Sequence, residues 1–259
     1  MRFRNLGSGS SGNSTLVEAS QGITTTRILV DAGFSERELT RRLAIAGCTP
    51  AGIDALFITH EHGDHVGRSV AFARRHRIPL ITSRGTWRAI GCDDFEASLL
   101  CVARSGEAIT LGDLELAPFT VPHDAQEPLQ LCISDGAVRL GIVTDLGSAP
   151  ATVSAALQGC QALLLECNHD EAMLRSGPYP PSLQRRILGT HGHLSNEAAA
   201  DLLSRCLHTS LGAVVAAHLS EKNNSPSLAR AALATVLGCA AGDIRVADPT
   251  LGFDWVQVG

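Results

Sequence analysis

One short segment constrains this chain more than any other: residues 60–65 read His-Glu-His-Gly-Asp-His. The apolar run 55–59 before it is typical of a buried strand, so the segment should lie where a strand ends and a helix begins. Two histidines that lie two residues apart point to the same side of an extended backbone. Imidazole and carboxylate groups are common metal ligands, so the segment predicts a metal site. Its four potential ligands are His60, His62, Asp64 and His65.

Three distant residues repeat the same pattern of an apolar strand followed by a ligand-type side chain. His123, Asp145 and His218 each come at or just after the end of an apolar run, as His60 does. A site with two ions needs more ligands than residues 60–65 supply. We therefore expect these three side chains to converge on that segment.

The composition is that of one globular unit. The 259 residues are 44% apolar and show no repeat, long linker or charge block. We therefore expect one domain that spans residues 1–259. Residues 7–14 are rich in Gly and Ser, and we expect a tight turn between strands or a backbone nest near the site.

Two patterns bear on where the protein works. Residues 1–4 do not begin an apolar secretory signal, and no window approaches a membrane span. The eight cysteines are scattered without a CxxC pair, which is typical of reduced, buried thiols, and none is placed like a metal ligand. These patterns predict a cytoplasmic protein.

The net charge of −5 is unlike that of most nucleic-acid-binding proteins, which are basic. Arginines nevertheless occur in four groups. Each group is typical of a solvated helix face, although two of them together would form a patch that guides phosphates. The groups are Arg37, Arg41 and Arg42; Arg74, Arg75 and Arg77; Arg84 and Arg88; and Arg185 and Arg186.

Apolar runs and turn signals predict an α/β protein in which two groups of strands are each followed by helices. We expect two facing sheets with helices outside. The predicted strands are 14–18, 26–31, 55–59, 79–82, 99–102, 107–111, 113–119, 129–134, 138–143, 161–166, 213–217, 244–246 and 253–257. The predicted helices are 35–46, 64–75, 84–90, 150–157, 169–175, 195–207 and 226–237.

The histidine and aspartate motif after an apolar strand resembles that of the metallo-β-lactamase superfamily, and the similarity extends over the whole chain. Six other segments resemble the YycJ/WalJ-like exonuclease branch: 3–14, 121–125, 144–147, 166–170, 192–196 and 218–224. The resemblance implies a metallo-β-lactamase αββα sandwich, which is two mixed β-sheets flanked by helices. The stretch between Asp145 and His193 leaves no room for the extra domain of β-CASP nucleases.

The resemblance also implies how the ligand-type residues are shared between two ions. Zn²⁺ and Mn²⁺ both suit a set of imidazole and carboxylate ligands. One ion would be held by His60, His62 and His123, and the other by Asp64, His65 and His218, with Asp145 bridging the two.

Further roles follow from the resemblance. Asp31 would accept an N–H from a ligand histidine, unless it is a plain turn residue. His193 resembles the histidine that contacts the scissile phosphate in tRNA-processing members, and Glu166 matches the glutamate that orients it. Together they would give a proton to the leaving oxygen, with helix capping as the alternative for His193. The catalytic residues would be Asp64, His193 and Glu166.

Other polar residues are expected behind the site or at the substrate. Ser195 or Asn196 would cap a helix, and three residues after His218 would present donors to phosphate oxygens. His169 is distinctive of the branch, but the sequence assigns it no role. The residues expected in this second group are Asp31, His169, Ser195, Asn196, Ser220, Asn223 and Asn224.

Three functions compete. The outer motifs favour a phosphodiesterase that acts on nucleic acid with metal-activated water, specifically a 5′–3′ exonuclease of DNA rather than RNA. The acidic charge favours a small-molecule hydrolase of the same fold, such as a cyclic-phosphate phosphodiesterase or a thioesterase. The complete ligand set disfavours a regulatory metal-binding protein without turnover. We favour the nuclease.

Overall fold

The computed structural model describes all 259 residues and contains fourteen strands and nine α-helices. None of these helices has the length and apolar character needed to cross a bilayer. The strands are β1 (Arg2–Gly7), β2 (Ser14–Gln21), β3 (Thr24–Val30), β4 (Ala55–Ile58), β5 (Leu80–Ser83), β6 (Leu100–Ala103), β7 (Ile109–Leu111), β8 (Leu114–Thr120), β9 (Leu129–Ser134), β10 (Arg139–Val143), β11 (Ala162–Glu166), β12 (Ala213–Ala217), β13 (Arg245–Val246) and β14 (Val256–Gln257). The helices are α1 (Glu36–Ile45), α2 (Gly63–Val66), α3 (Ser69–His76), α4 (Arg84–Ile90), α5 (Ala151–Leu157), α6 (Glu171–Ser176), α7 (Pro181–Ile187), α8 (Asn196–Cys206) and α9 (Pro226–Leu237).

The strands form two seven-stranded mixed sheets. The first has the order β14-β1-β2-β3-β4-β5-β6, with antiparallel pairs from β14 to β3 and parallel pairs from β3 to β6. The second has the order β13-β12-β11-β10-β9-β8-β7, with antiparallel pairs from β7 to β10 and parallel pairs from β10 to β13. The carboxyl ends of the parallel strands therefore collect at one edge of each sheet.

Alternate residues of the central strands face two different cores. In β3, Ile28 belongs to the core between the sheets, whereas Leu29 packs under the helices outside the first sheet. In β11, Leu164 belongs to the shared core and Leu163 to the core under the helices of the second sheet. A strand that is buried on both faces appears in the sequence as a continuous apolar run, so these strands could be predicted from the sequence. The molecule therefore has four layers, αββα.

Serine caps fix where several helices begin. Ser35, Ser195 and Ser225 each accept a hydrogen bond from a backbone N–H in the first turn of the following helix. The cap at Ser195, two residues after His193, fixes the start of α8. It thereby holds the segment that carries this histidine.

The structure corrects three parts of the secondary-structure prediction, while the other predicted bounds agree within about three residues. The single helix expected over 64–75 is two helices, α2 and α3. The break follows α2 at Gly67, which has a φ of 42°, and a Cβ there would lie 2.5 Å from the carbonyl oxygen of Ala32. Strand β1 was missed because its arginines interrupt the apolar pattern. Helix α7 was missed because its two starting prolines resemble a loop.

Candidate metal centre

The side chains expected at the metal site come together where strands of both sheets end. His60 follows β4 by two residues, Asp145 follows β10 by two, and His218 follows β12 directly. His123 lies three residues beyond β8. Potential ligand atoms fall within 4.8 Å of one another in several groups. Two of these groups are His60, His62 and His123, and Asp64, His65 and His218.

Three residues of this region have a left-handed backbone. The φ angles are 61° for Asp31, 56° for Asp145 and 55° for His218, and Arg77 at the end of α3 is the only other non-glycine residue with a positive φ. Each such residue costs on the order of 1–3 kcal/mol and persists only where its surroundings enforce it. At His218, the backbone N–H donates to Ser8 Oγ at 2.9 Å. Backbone strain is therefore concentrated at the candidate centre.

The first group of ligands is a cluster of three histidines. His62 Nδ1 and His123 Nε2 are 3.3 Å apart, and the buried His60 Nε2 has no hydrogen-bond partner. The opposite ring nitrogens are held by the protein: His123 Nδ1 donates to the Gly192 carbonyl at 3.0 Å, and His60 Nδ1 lies 3.0 Å from Thr59 Oγ1. His62 Nε2 lies 3.2 Å from the Asp124 carbonyl oxygen, so one nitrogen of each ring is left available for a metal.

The second group joins a carboxylate to two buried histidines. Asp64 Oδ2 lies 3.5 Å from His65 Nε2 and 3.4 Å from His218 Nε2. Asp31 Oδ2 accepts from His65 Nδ1 at 2.8 Å, the contact that the sequence led us to expect. Glu166 Oε1 lies 3.2 Å from His218 Nδ1. Each histidine is thus oriented through the nitrogen that faces away from Asp64.

Asp145 lies between the groups and supplies the test of whether a cation fits. Its Oδ2 is 2.9 Å from His65 Nε2, and its Oδ1 is 3.4 Å from His218 Nε2. The buried His60 Nε2 has no hydrogen-bond partner, which is costly unless something else binds it. The donor set is nitrogen and oxygen without thiolate. These residues therefore fit the divalent metal that the fold family implies.

Charged neighbours shift the pKa values of the buried histidines of the centre. Burial alone would lower the pKa of His65 and His218, but Asp145 and neighbouring carboxylates outweigh it. The pKa of His65 is raised well above its ordinary value, and that of His218 to about 10. Burial, together with the charge of His65, lowers the pKa of His60. Protons on two histidines thus balance the carboxylates where a cation would otherwise do so.

Glu166 and His193 form a pair beside the centre. Glu166 is fully buried, and its Oε1 accepts from His193 Nδ1 at 2.8 Å. Its Oε2 accepts from the backbone N–H groups of Leu146 and Leu194 at 3.1 and 3.0 Å. Burial raises the pKa of Glu166, but His193 outweighs it and lowers the value to about 2. Burial likewise lowers the pKa of His193, and Glu166 outweighs it, so the net shift is upward.

A close approach of backbone segments fixes the loop that carries His193. A Cβ on Gly192 would lie 2.2 Å from the carbonyl oxygen of Ile187, at the end of α7. The N–H of His193 donates to that same oxygen at 3.0 Å. Only glycine allows this packing, and it ties α7 to the Glu166–His193 pair.

A cavity of about 400 Å³ opens over the centre. Ser220 lines it, as expected for a residue that meets the substrate. Ser195 caps α8, as the sequence predicts for Ser195 or Asn196. Asn224, expected at the substrate, does not line the cavity and is hydrogen-bonded to Asn196 at 2.9 Å. Asn223 is fully buried beside Ser220 Oγ. These four side chains support the loops and do not face the substrate.

His169 also lies outside the cavity lining. It is buried, its backbone is bridged to Ser195, and its Nδ1 has no hydrogen-bond partner. Burial lowers its pKa.

Sequence reasoning missed several residues of the site. Asn13 Nδ2 donates to Asp64 Oδ2 at 3.1 Å, and its backbone N–H donates to the Asp64 carbonyl at 2.7 Å. The Gly- and Ser-rich segment 7–14 was the available signal for Asn13. Tyr179 lines the cavity from the segment before α7, which no sequence pattern indicated. Arg186 also lines it, and the sequence named it only as a member of one of the four arginine groups.

Comparison with known proteins identifies the family. A profile described as a β-lactamase superfamily domain matches residues 26–218. Exodeoxyribonuclease WalJ of Streptococcus pneumoniae is 34% identical over 232 residues, which cover 88% of this chain and 85% of WalJ. The chain belongs to the metallo-β-lactamase superfamily, in its WalJ/YycJ branch. Exodeoxyribonuclease YycJ of Bacillus anthracis is 33% identical over 239 residues, which cover 92% of this chain and 89% of YycJ.

A solved structure confirms the superfamily fold. The metallo-β-lactamase fold protein YhfI from Bacillus subtilis superposes with a TM-score of 0.73 over 98% of both chains, at 16% identity. The predicted αββα sandwich and the predicted branch of the superfamily are both confirmed.

Proposed function

We propose that this protein is a metal-dependent phosphodiesterase that removes nucleotides from DNA in the 5′ to 3′ direction. The observation that carries the proposal is the Glu166–His193 pair, with His193 Nδ1 only 3.6 Å from Asp145 Oδ1. A proton donor beside a candidate metal centre suits cleavage of a bond with a poor alkoxide leaving group. Two relatives that match most of the chain are named exodeoxyribonucleases, which supports DNA as the substrate.

We infer that the centre holds two divalent ions, Zn²⁺ or Mn²⁺. When bound, such a pair activates water for attack and neutralises charge on a phosphate. The geometry supports the assignment because two three-residue groups flank the carboxylate of Asp145. The proposed ligands are His60, His62 and His123 for one ion, Asp64, His65 and His218 for the other, and Asp145 for both.

The side chains around the centre supply the remaining steps. Glu166 accepts from Nδ1 of His193 and raises the pKa of this ring, which favours the doubly protonated form that can donate from Nε2. His193 lines the cavity and is placed to give a proton to the leaving oxygen. Asp64, at the cavity wall, would lie next to the phosphate, and Ser220 would offer its hydroxyl to a phosphate oxygen.

Metal loading should release protons. In the metal-free protein, His65 and His218 carry protons at pH 7 because their pKa values are raised. A metal needs the neutral ring, so binding two ions should release about two protons, and affinity should rise with pH. Calorimetry at one pH in buffers of different ionisation enthalpy measures this release. Heats that do not depend on the buffer would contradict the charge state assigned here.

A small phosphodiester is the second candidate substrate, since two of the four arginine groups are largely neutralised by carboxylates. Arg41 and Arg42 both pair with Glu38, and Arg74 pairs with Asp94. These arginines are therefore poorly suited to guide a DNA backbone towards the cavity.

One experiment separates the two substrates. The Mn²⁺- or Zn²⁺-loaded protein is incubated with end-labelled single- and double-stranded DNA and RNA, and with bis-p-nitrophenyl phosphate. We expect single nucleotides to be released progressively from the 5′ end of DNA. Turnover of the small ester alone would favour the small-molecule hydrolase.

We further propose that residues 1–259 act as one domain in the cytoplasm. All eight cysteines are free, and five of them are buried, which supports a reducing environment.

A further inference from the structure

One wall of the cavity carries apolar and aromatic side chains, whereas the rest of the lining is mostly polar or charged. Its three apolar or aromatic lining side chains, Tyr179, Leu183 and Ile187, all come from the segment 179–187. The other lining residues are polar, charged or glycine. Tyr179 is the only tyrosine of the chain, and no hydrogen bond in the protein uses its hydroxyl group. A half-buried ring in a polar cavity is therefore left without a polar partner.

The apolar wall is held rigidly against the catalytic pair. Gln184 Nε2 donates to the carbonyl oxygen of Tyr179 at 3.1 Å, which ties the backbone of Tyr179 to α7. At the other end of the helix, the Ile187 carbonyl accepts from the N–H of His193 at 3.0 Å. The wall therefore stands at a fixed position relative to the proton donor, as a preformed binding surface requires.

Arg186 brings free N–H donors to the same wall, although Asp124 balances its charge. Its Nε donates to Asp124 Oδ2 at 2.5 Å, while its two Nη atoms make no hydrogen bond in the protein. Its side chain is 61% exposed and lines the cavity. The neighbouring Arg185 instead donates from Nε to the Pro181 carbonyl and does not line the cavity. The two arginines thus share a helix and a charge but differ in access to the site.

We propose that the segment 179–187 binds the unpaired terminal nucleotide of the DNA strand, with Tyr179 stacked on its base and the Nη atoms of Arg186 on a phosphate. The inference rests on the proposed function and names the part of the substrate that the cavity selects. Every base has a flat π face, so stacking on one ring tolerates any sequence. A cavity of about 400 Å³ is at the small end of ligand sites and suits one nucleotide better than a base pair.

Kinetics on a single-stranded oligonucleotide test the stacking contact. Base stacking on an aromatic side chain is worth about 1–3 kcal/mol, so Tyr179→Ala should raise KM about 5- to 150-fold with little change in kcat. Tyr179→Phe keeps the ring and should keep the KM. A strand that lacks its terminal base should raise the KM of the unmodified protein by the same factor, with no further rise in Tyr179→Ala. Loss of the third base should have little effect.

The two arginines provide a matched pair of variants. Arg186→Gln should raise KM, whereas Arg185→Gln removes the same charge from the same helix and should leave KM unchanged. Equal effects of the two substitutions would show that only the overall charge matters and would overturn the phosphate contact.

The remaining outcomes separate this inference from the proposed function. Should Tyr179→Ala fail to fold, the strand without its terminal base still tests the contact in the unmodified protein. DNA cleavage with a KM that is insensitive both to Tyr179 and to the terminal base would leave the nuclease intact and remove the stacking site. An equal rise in KM for Tyr179→Phe and Tyr179→Ala would also overturn it. Failure to cleave any strand would remove both proposals.

Discussion

Replacement of Asp64 by alanine is expected to abolish hydrolysis and to remove one ion from the centre without unfolding the protein. Asp64 is half-buried, and its carboxylate lies within 3.5 Å of both His65 Nε2 and His218 Nε2. The three histidines of the other group do not depend on it, so one ion should stay. Loss of one cation of a pair removes part of the charge stabilisation of the phosphate, worth several kcal/mol.

Elemental analysis and thermal unfolding check this prediction together. The unmodified protein should contain about two ions per chain after mild purification, and Asp64→Ala about one. Asp94→Ala serves as the control, because Asp94 is an exposed carboxylate paired with Arg74 on the surface. Full metal content in Asp64→Ala would show that Asp64 is not a ligand. A metal content near zero in the unmodified protein, resistant to reconstitution, would refute the centre itself.

Replacement of His193 by alanine is expected to lower kcat about 10²- to 10⁴-fold on DNA while leaving the metal content intact. His193 is held by Glu166 and is absent from both three-residue groups that flank Asp145. A ring nitrogen of His193 does lie within 4.8 Å of potential ligand atoms of Asp145, Glu166 and His218, so the metal content of the variant is part of the test. A p-nitrophenyl ester has a leaving group that scarcely needs a proton. The loss should therefore be much smaller on bis-p-nitrophenyl phosphate than on DNA.

Glu166→Gln should show the same substrate dependence with a smaller loss of kcat. The amide oxygen of Gln can still accept a hydrogen bond from Nδ1 of His193, but it has no negative charge to stabilise the protonated ring. Equal losses on both substrates would show that His193 positions other groups and donates no proton. Loss of an ion in His193→Ala would instead show that His193 is a metal ligand. The measurement is needed because His193 Nδ1 lies 3.6 Å from Asp145 Oδ1.

The site residues that lie at strand ends could be predicted from the sequence. His60, Asp145 and His218 could be predicted together because a buried parallel strand reads as an apolar run and its carboxyl end faces one edge of the sheet. Loop residues were harder to predict. Asn223 and Asn224 resemble phosphate-binding residues in sequence, yet their side chains bond within the protein. The sequence alone does not show whether a polar loop residue binds a substrate or hydrogen-bonds to a neighbouring loop.

The cavity wall formed by residues 179–187 was not predicted from the sequence, for a different reason, although Arg186 belonged to one of the four arginine groups. Helix α7 has only seven residues and no buried side chain, so it lacks the apolar periodicity that reveals longer helices. Its position follows from the close contact between Ile187 and Gly192, which are five residues apart in a loop-like segment. Only tertiary packing places this segment over the cavity.

The left-handed backbone at Asp31, Asp145 and His218 limits how this centre can evolve. Glycine adopts such a conformation freely, Asp and Asn tolerate it, His does so less often, and β-branched residues essentially do not. Asp145→Glu would thus keep a carboxylate but meet a backbone penalty that Asp145→Asn avoids. Natural variation at these three positions should be confined to the few residue types that adopt a positive φ. New metal preferences would arise more easily at His62 or Asp64, where the backbone is ordinary.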